Sequence, residues 1–129
     1  MTAPQFSIRF EHIPSQAEFE LFARISGDDN PIHVDADFSR ATRFGRTVAH
    51  GMFLYTLIWA RLRREYPAAR SLSQDLKFPN PAYAGERLEF LMFEAVSGAN
   101  VTIETLVRRM ADGAAVCEAR TILETGGRG

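Results

Sequence analysis

Between residues 26 and 33 the chain reads Ser-Gly-Asp-Asp-Asn-Pro-Ile-His. This short stretch gathers the carboxylates of Asp28 and Asp29, the amide of Asn30 and the imidazole of His33. An imidazole titrates near neutrality, whereas a carboxylate becomes a strong base only when buried, so the set can take up and return protons. Pro31 fixes φ and lacks a donor, so the stretch is expected to be a loop rather than a helix. Further on, His50-Gly51-Met52 opens the most apolar helix candidate in the sequence. Acid–base groups beside a helix N-terminus suit chemistry on a carbonyl compound, which needs proton transfer and stabilisation of a developing oxyanion.

The same residues also have a bland reading, because Ser, Gly, Asp, Asn and Pro are turn formers and Asp or Asn often bonds to nearby backbone. A calcium loop is a further possibility, since Asp28 and Asn30 have its first-and-third spacing. It fails at the sixth position, where His33 replaces the required Gly, and at the twelfth, where Ser39 replaces Glu.

The elements that must hold the loop follow from periodicity. Phe6, Ile8 and Phe10 alternate with polar residues and predict a first strand. Ser15 and Glu18 form a capping-box pair at the start of a helix whose stripe is Phe19, Phe22 and Ile25, with Leu21, and Gly27 stops it. Asp35 or Asp37 can cap a short helix through Phe38, Ala41 and Thr42, which Gly45 breaks. From Met52 to Trp59 residues are apolar on nearly every side, which predicts a wholly buried helix that turns basic at Arg61, Arg63 and Arg64 and ends at Pro67.

After Ser71 the period becomes two. Leu76 and Phe78, then Leu88 to Val96, then Val101 to Val107, then Val116 to Leu123 predict four strands, with turns at Gly98-Ala99-Asn100 and Asp112-Gly113. The simplest packing is α+β: an antiparallel sheet of about five strands wrapped around the apolar helix. The third strand is apolar on both faces, with Leu91 and Phe93 opposite Phe90 and Met92, so a second chain is expected to cover the outer face as a dimer.

Composition narrows the function. With 129 residues, 46% hydrophobic and 24% charged, the chain is expected to be one globular domain over 1–129, with a frayed tail at 126–129. A net charge of −1 without a basic block argues against nucleic acid or an acidic membrane as partner. The single cysteine, Cys117, has no disulfide partner and no zinc-ligand set around it, and its strand position predicts a core residue. There is no secretion signal pattern and no run long enough to span a bilayer, so a cytoplasmic location is expected.

Phe22, Ile25, Ser26, Gly27, Asp28, Asn30, Pro31, Ile32, His33 and Ser39 together resemble the signature of the MaoC-like, (R)-specific enoyl-CoA hydratase (hydratase 2) family. That signature runs from an aromatic through an aliphatic and a small residue to Gly-Asp, then Asn-Pro, an aliphatic residue and His, with a small residue six further on. His50-Gly51-Met52 stands at the family's usual distance, and Leu76, Phe78, Pro81, Gly85 and Glu86 look like its following strand. The resemblance spans Phe22 to Glu86. It implies the hot-dog fold, usually dimeric, and the reversible addition of water to trans-2-enoyl thioesters, a reaction of fatty acid metabolism.

By that resemblance Asp28 and His33 are the catalytic pair, and which of them takes the proton stays open. Asn30 orients the loop or the water, and the Gly51 N–H stabilises the thioester oxyanion. His50 either shapes the oxyanion site or only caps the helix or bonds to another loop. Met52, Tyr55 and Trp59 are candidate acyl-pocket residues. Trp59, two turns beyond Gly51, either shortens that pocket or packs the core. Asp29, at a variable position, is expected on the surface, and His12 in an exposed loop. Arg61, Arg63 and Arg64 either meet coenzyme A phosphates or form a solvated helix end. No metal or cofactor is implied, and coenzyme A or acyl carrier protein carries the substrate. Three rivals share the fold: an acyl-CoA thioesterase, a dehydratase running the reaction backwards, and a non-catalytic subunit of a heterodimeric dehydratase.

Overall fold

The computed structural model describes residues 7–125. Phe6 and the tail at 126–129 lie outside them. The elements in order are β1 (Ile8–His12), α1 (Gln16–Ser26), α2 (Pro31–Val34), α3 (Ala36–Arg40), α4 (Gly51–Glu65), β2 (Arg70–Lys77), β3 (Leu88–Ser97), β4 (Asn100–Arg109) and β5 (Ala115–Glu124). All strands pair antiparallel in one sheet ordered β1-β3-β4-β5-β2. This is the hot-dog arrangement of a helix-bearing antiparallel sheet.

Local chemistry sets the elements. Ser15 caps α1 through the Glu18 N–H, the Glu18 carboxylate reaches back to the Ser15 N–H, and Gly27 ends the helix at a left-handed φ of 82°. Asp35 caps α3. Gly113 carries φ 75° in the β4–β5 connection. The expected loop at 28–34 differs: Pro31 to Val34 form a helical turn. Pro31 occupies its first position, where no N–H is needed, and the Asn30 side chain accepts from the Ile32 N–H.

The core lies between α4 and the sheet. Phe53, Leu54, Ile58 and Leu62 pack with Phe90, Met92, Ile103 and Leu123 in one buried cluster, each such side chain stabilising the fold by about 1.5–3 kcal/mol. Phe19 of α1 joins it edge-on to Phe53 at 5.6 Å, and Phe10 stacks on Phe90 at 4.4 Å. Helix α4 is not buried all round, as its composition predicts. Met52, Thr56, Ala60 and Arg63 are exposed, because the sheet covers one side of the helix only.

The outer face of β3 is mixed. Leu91 is buried within the chain. Beside it Glu89 is clamped by the Arg9 and Arg108 Nε groups, each at 2.6 Å, so ion pairs across β1, β3 and β4 cover one end of this face, while Phe93 borders a hollow with Leu76 and Leu106. Those two arginines hold the Glu89 carboxyl below its ordinary range. His12 is not a loop residue: it ends β1, half-buried, against the Glu18 carboxylate at 3.0 Å.

Residues 47–49 fix the start of α4. The Val48 N–H donates to the Ile32 carbonyl at 2.9 Å, the Ala49 N–H donates to the Ala82 carbonyl at 2.8 Å, and Val48 bridges Tyr83. The segment is thereby sewn to α2 on one side and to 82–83 on the other, which sets His50 and Gly51 against His33.

Candidate active site

The site begins with His33, a buried residue on the one-turn helix α2. Its Nδ1 lies 2.8 Å from the Val48 carbonyl. A carbonyl only accepts, so Nδ1 carries the proton, and in the neutral ring Nε2 is the nitrogen with the lone pair. That lone pair faces the Asp28 carboxylate, with Nε2 to Oδ2 at 3.8 Å. Two acceptors across a gap too long for a direct hydrogen bond can instead receive both hydrogens of one water. Such a water is polarised and aimed by its own hydrogens.

Asp28 is set by the loop itself. Its N–H donates to the Ser26 Oγ at 3.1 Å, and its Oδ1 accepts the Asn30 N–H at 3.4 Å. The Asn30 side chain is engaged in capping α2, so Asn30 shapes the loop through both main chain and side chain. Ser39, fully buried, donates to the Ile32 carbonyl at 3.2 Å and ties α3 to α2. Asp29 is exposed. The Asp28 side chain is 55% exposed in this chain.

His50 is 2% exposed. It makes no side-chain cap to α4. Its Nε2–H donates to the Asp28 carbonyl at 2.9 Å, and its ring stacks on His33 with centroids 3.8 Å apart and planes 21° apart. Phe22 closes on its edge at 4.8 Å. Burial pushes the His50 imidazole below its ordinary 6.5, and the nearness of His33 adds to this against the pull of the Asp28 carbonyl. Charging both rings at this separation would cost about 4 kcal/mol at an effective dielectric of 20.

Gly51 stands at the first position of α4, where N–H groups have no intrahelical acceptor. A Cβ at this position would meet the Phe78 ring at 2.8 Å, so that ring would have to shift if the glycine were replaced. Gly51, His33, Leu54, Phe78, Phe44 and Val48 line a cleft of about 210 Å³. Met52, Tyr55 and Trp59 do not line it: Met52 is 52% exposed, and Tyr55 and Trp59 pack half-buried against the core. Asp28 is also absent from the lining, so the cleft meets the pair through His33. A larger hollow of about 620 Å³ covers the outer sheet face at Leu76, Phe93 and Leu106, away from these groups.

Sequence reasoning missed the clamp behind His33. Gln16 Nε2 donates to the His33 carbonyl at 2.9 Å, and Thr47 Oγ1 donates to Gln16 Oε1 at 2.5 Å. These residues are far apart in the chain, and a Gln at a helix start carries no signal of a distant partner. Asp28, His33 and His50 bring ligand atoms within 4.8 Å of one another. His33 Nδ1 and His50 Nε2 are spent on main-chain carbonyls, which leaves His33 Nε2, His50 Nδ1 and the Asp28 carboxylate as the uncommitted donor atoms. Cys117 is buried in the core, and burial pushes its thiol up to about 12, so it is no nucleophile. Arg61 pairs with Glu65 and lies over the Phe10 ring, while Arg63 and Arg64 are exposed.

Comparison with known proteins settles the family. The model of the MaoC like domain matches residues 2–114. The chain belongs to the MaoC-like family. Within that family it is similar to the (R)-specific enoyl-CoA hydratase of Aeromonas caviae, 38% identical over 56% of this chain and 55% of that protein. It is also similar to the 3-hydroxybutyryl-CoA dehydratase of Methylorubrum extorquens, 43% identical over 58% of this chain and 49% of that protein. The chain thus spans about half the length of these curated relatives. Among solved MaoC-like structures, the (R)-hydratase from A. caviae superposes with a TM-score of 0.85 over 96% of both chains at 26% identity. The ChsH1–ChsH2 complex of Mycobacterium tuberculosis shares the fold, with a TM-score of 0.84 over 96% of this chain and 98% of that one at 18% identity. Among the described residues no helix is long and apolar enough to cross a membrane.

Proposed function

We propose that this chain is a single hot-dog domain that hydrates trans-2-enoyl thioesters to (R)-3-hydroxyacyl thioesters, reversibly, as a lyase of acyl-CoA or acyl carrier protein substrates. The observation that carries this reading is the pair of acceptors, Asp28 Oδ2 and the unprotonated His33 Nε2, facing each other at 3.8 Å. The names of the relatives support the reaction and its handedness.

Asp28 orients the water through one hydrogen. His33 Nε2 takes the other as the water oxygen bonds to C3. The C2=C3 electron pair moves toward the thioester, and its oxygen gathers negative charge. The Gly51 N–H and the N-terminus of α4 stabilise that charge. The proton held by the pair then goes to C2, so one water is added and no group is left over. His33 is assigned the base because its lone pair is fixed and buried, whereas the Asp28 side chain is largely exposed. Asn30 and His50 hold the loop. Met52, Tyr55 and Trp59 contact substrate only where the acyl chain extends beyond the cleft, or across a subunit boundary. No metal or cofactor takes part, and dialysis against a chelator is expected to leave the rate unchanged.

The working unit is a homodimer in the cytoplasm. Ile25, Met52 and Phe78, at 73%, 52% and 42% exposure, leave apolar surface around the Asp28 loop and the start of α4, which a second copy would cover. The test is to mix the protein with crotonyl-CoA and follow the conjugated enoyl absorbance, free thiol and oxidation of the product by an (R)-specific dehydrogenase. Loss of absorbance with an oxidisable product supports the reading. Free thiol without hydration would transfer the chain to the thioesterases, and neither signal would leave a non-catalytic subunit as the better account.

A further inference from the structure

His50 is a buried, titratable side chain to which the hydration steps give no proton, yet it contacts both members of the pair. Its two contacts use different parts of the ring. The edge donates Nε2–H to the Asp28 main-chain carbonyl at 2.9 Å, and the face lies on His33 at 3.8 Å. Its other nitrogen, Nδ1, is buried without a partner. A buried ring with an unpaired nitrogen costs stability, and Phe22 packing alone would be served as well by a phenyl group.

We propose that His50 is the positioning residue of the site, whose edge sets the distance from Asp28 to His33 and whose face covers the reactive imidazole against water. The inference rests on the hydratase reading. The groups facing the paired rings are the Asp28 carbonyl and carboxylate from the loop, the Val48 carbonyl from the segment before α4, and the Phe22 ring from α1. Among the described residues the Asp28 carboxylate is the charged group nearest the rings, 3.8 Å from His33 Nε2, and Arg43 lines the same cleft as His33.

Two substitutions separate the edge from the face. His50→Gln keeps a side-chain N–H donor and loses the ring. His50→Phe keeps a flat cover and loses the donor. In His50→Phe, kcat falls by up to about tenfold, the loss of one hydrogen bond, with KM little changed and the acid limb of kcat/KM in place. In His50→Gln, kcat is largely retained while the acid limb moves to higher pH, because water reaches the uncovered ring of His33. Melting curves are recorded for both. A readout apart from activity is the histidine tautomer by long-range ¹H–¹⁵N correlation in the wild-type protein: Nε2–H for His50 and Nδ1–H for His33.

Wild-type kcat and pH profile in both folded variants would overturn the proposal. So would equal losses in both that track the melting temperature with an unchanged pH profile, since that is a packing role. If the wild type hydrates no enoyl thioester while the tautomers are as stated, the hydratase reading fails and the clamp remains. Opposite tautomers would sink the clamp whatever the activity.

Discussion

The molecule is held together in two different ways. Between α4 and the sheet, Ile58, Leu62, Phe90 and Ile103 are buried in a continuous apolar cluster where many contacts share the load. Around His33 the chain is held by single directed bonds: Val48 to Nδ1, Gln16 to the main-chain carbonyl, Ser39 to α2 and His50 to Asp28. The first region sets whether the chain folds. The second sets where two acceptors stand to within a few tenths of an ångström. Damage to the sheet should therefore be read in stability, and damage to the helical region in rate.

The largest separation comes from the pair itself. Asp28→Asn and His33→Ala should each lower kcat by about 10²–10⁴-fold. The melting temperature of Asp28→Asn should stay near wild type, since that side chain is exposed and its loss leaves no cavity. Steady-state kinetics beside calorimetry would check this, and an Asp28→Asn protein that melts much earlier would blur the proposed division.

Next is the opposite case. Ile58→Ala, fully buried on α4, should cost about 2–5 kcal/mol in denaturant unfolding, while the folded fraction keeps near wild-type kcat. A severe loss of kcat at full folding would show that the core also tunes the site.

Gly51→Ala lies between the regions. The added methyl meets the Phe78 ring at 2.8 Å, but that ring is partly exposed and can swing away. Stability should change by less than about 1 kcal/mol, because Ala favours a helix. Activity should fall where the methyl crowds the N–H. Gly51→Ala with Phe78→Ala should regain any lost stability without regaining rate. Recovery of both would make the glycine a packing requirement only.

The smallest effect is on stability against pH. The folded chain holds His50 below its ordinary 6.5 because the ring is buried. Above that pH both states are neutral there. As pH falls below it, the unfolded chain takes up a proton more readily than the folded one, so stability is lost toward acid. Melting temperatures from neutral to mildly acidic pH should therefore fall less steeply in His50→Phe than in wild type. Parallel curves would mean that His50 does not titrate differently on folding.

What could be seen beforehand in the amino-acid sequence follows the same divide. Strand alternation, the Ser15–Glu18 box and the Gly27 stop are local rules, and the structure follows them. The Gly-Asp-x-Asn-Pro-x-His stretch was legible as a group because its members are neighbours in the chain. The Pro31 turn was not: a proline that forbids helix interior is welcome at a helix start, and only the Asn30 cap decides which applies. The exposed stripe of α4 was hidden because composition says what prefers burial, not whether a single sheet has enough surface to bury it. Gln16 and Thr47 act on the site across long loops, so no spacing pattern marks them.

The central claim is that Asp28 and His33 act as one unit on one water. A double-mutant cycle on kcat/KM with crotonyl-CoA tests it most directly, using wild type, Asp28→Asn, His33→Ala and the double variant. If the pair grips a single water, the second substitution adds little, and the double variant is about as slow as the worse single one. Losses that multiply would mean that the two residues work independently, and the shared-water account would have to be abandoned.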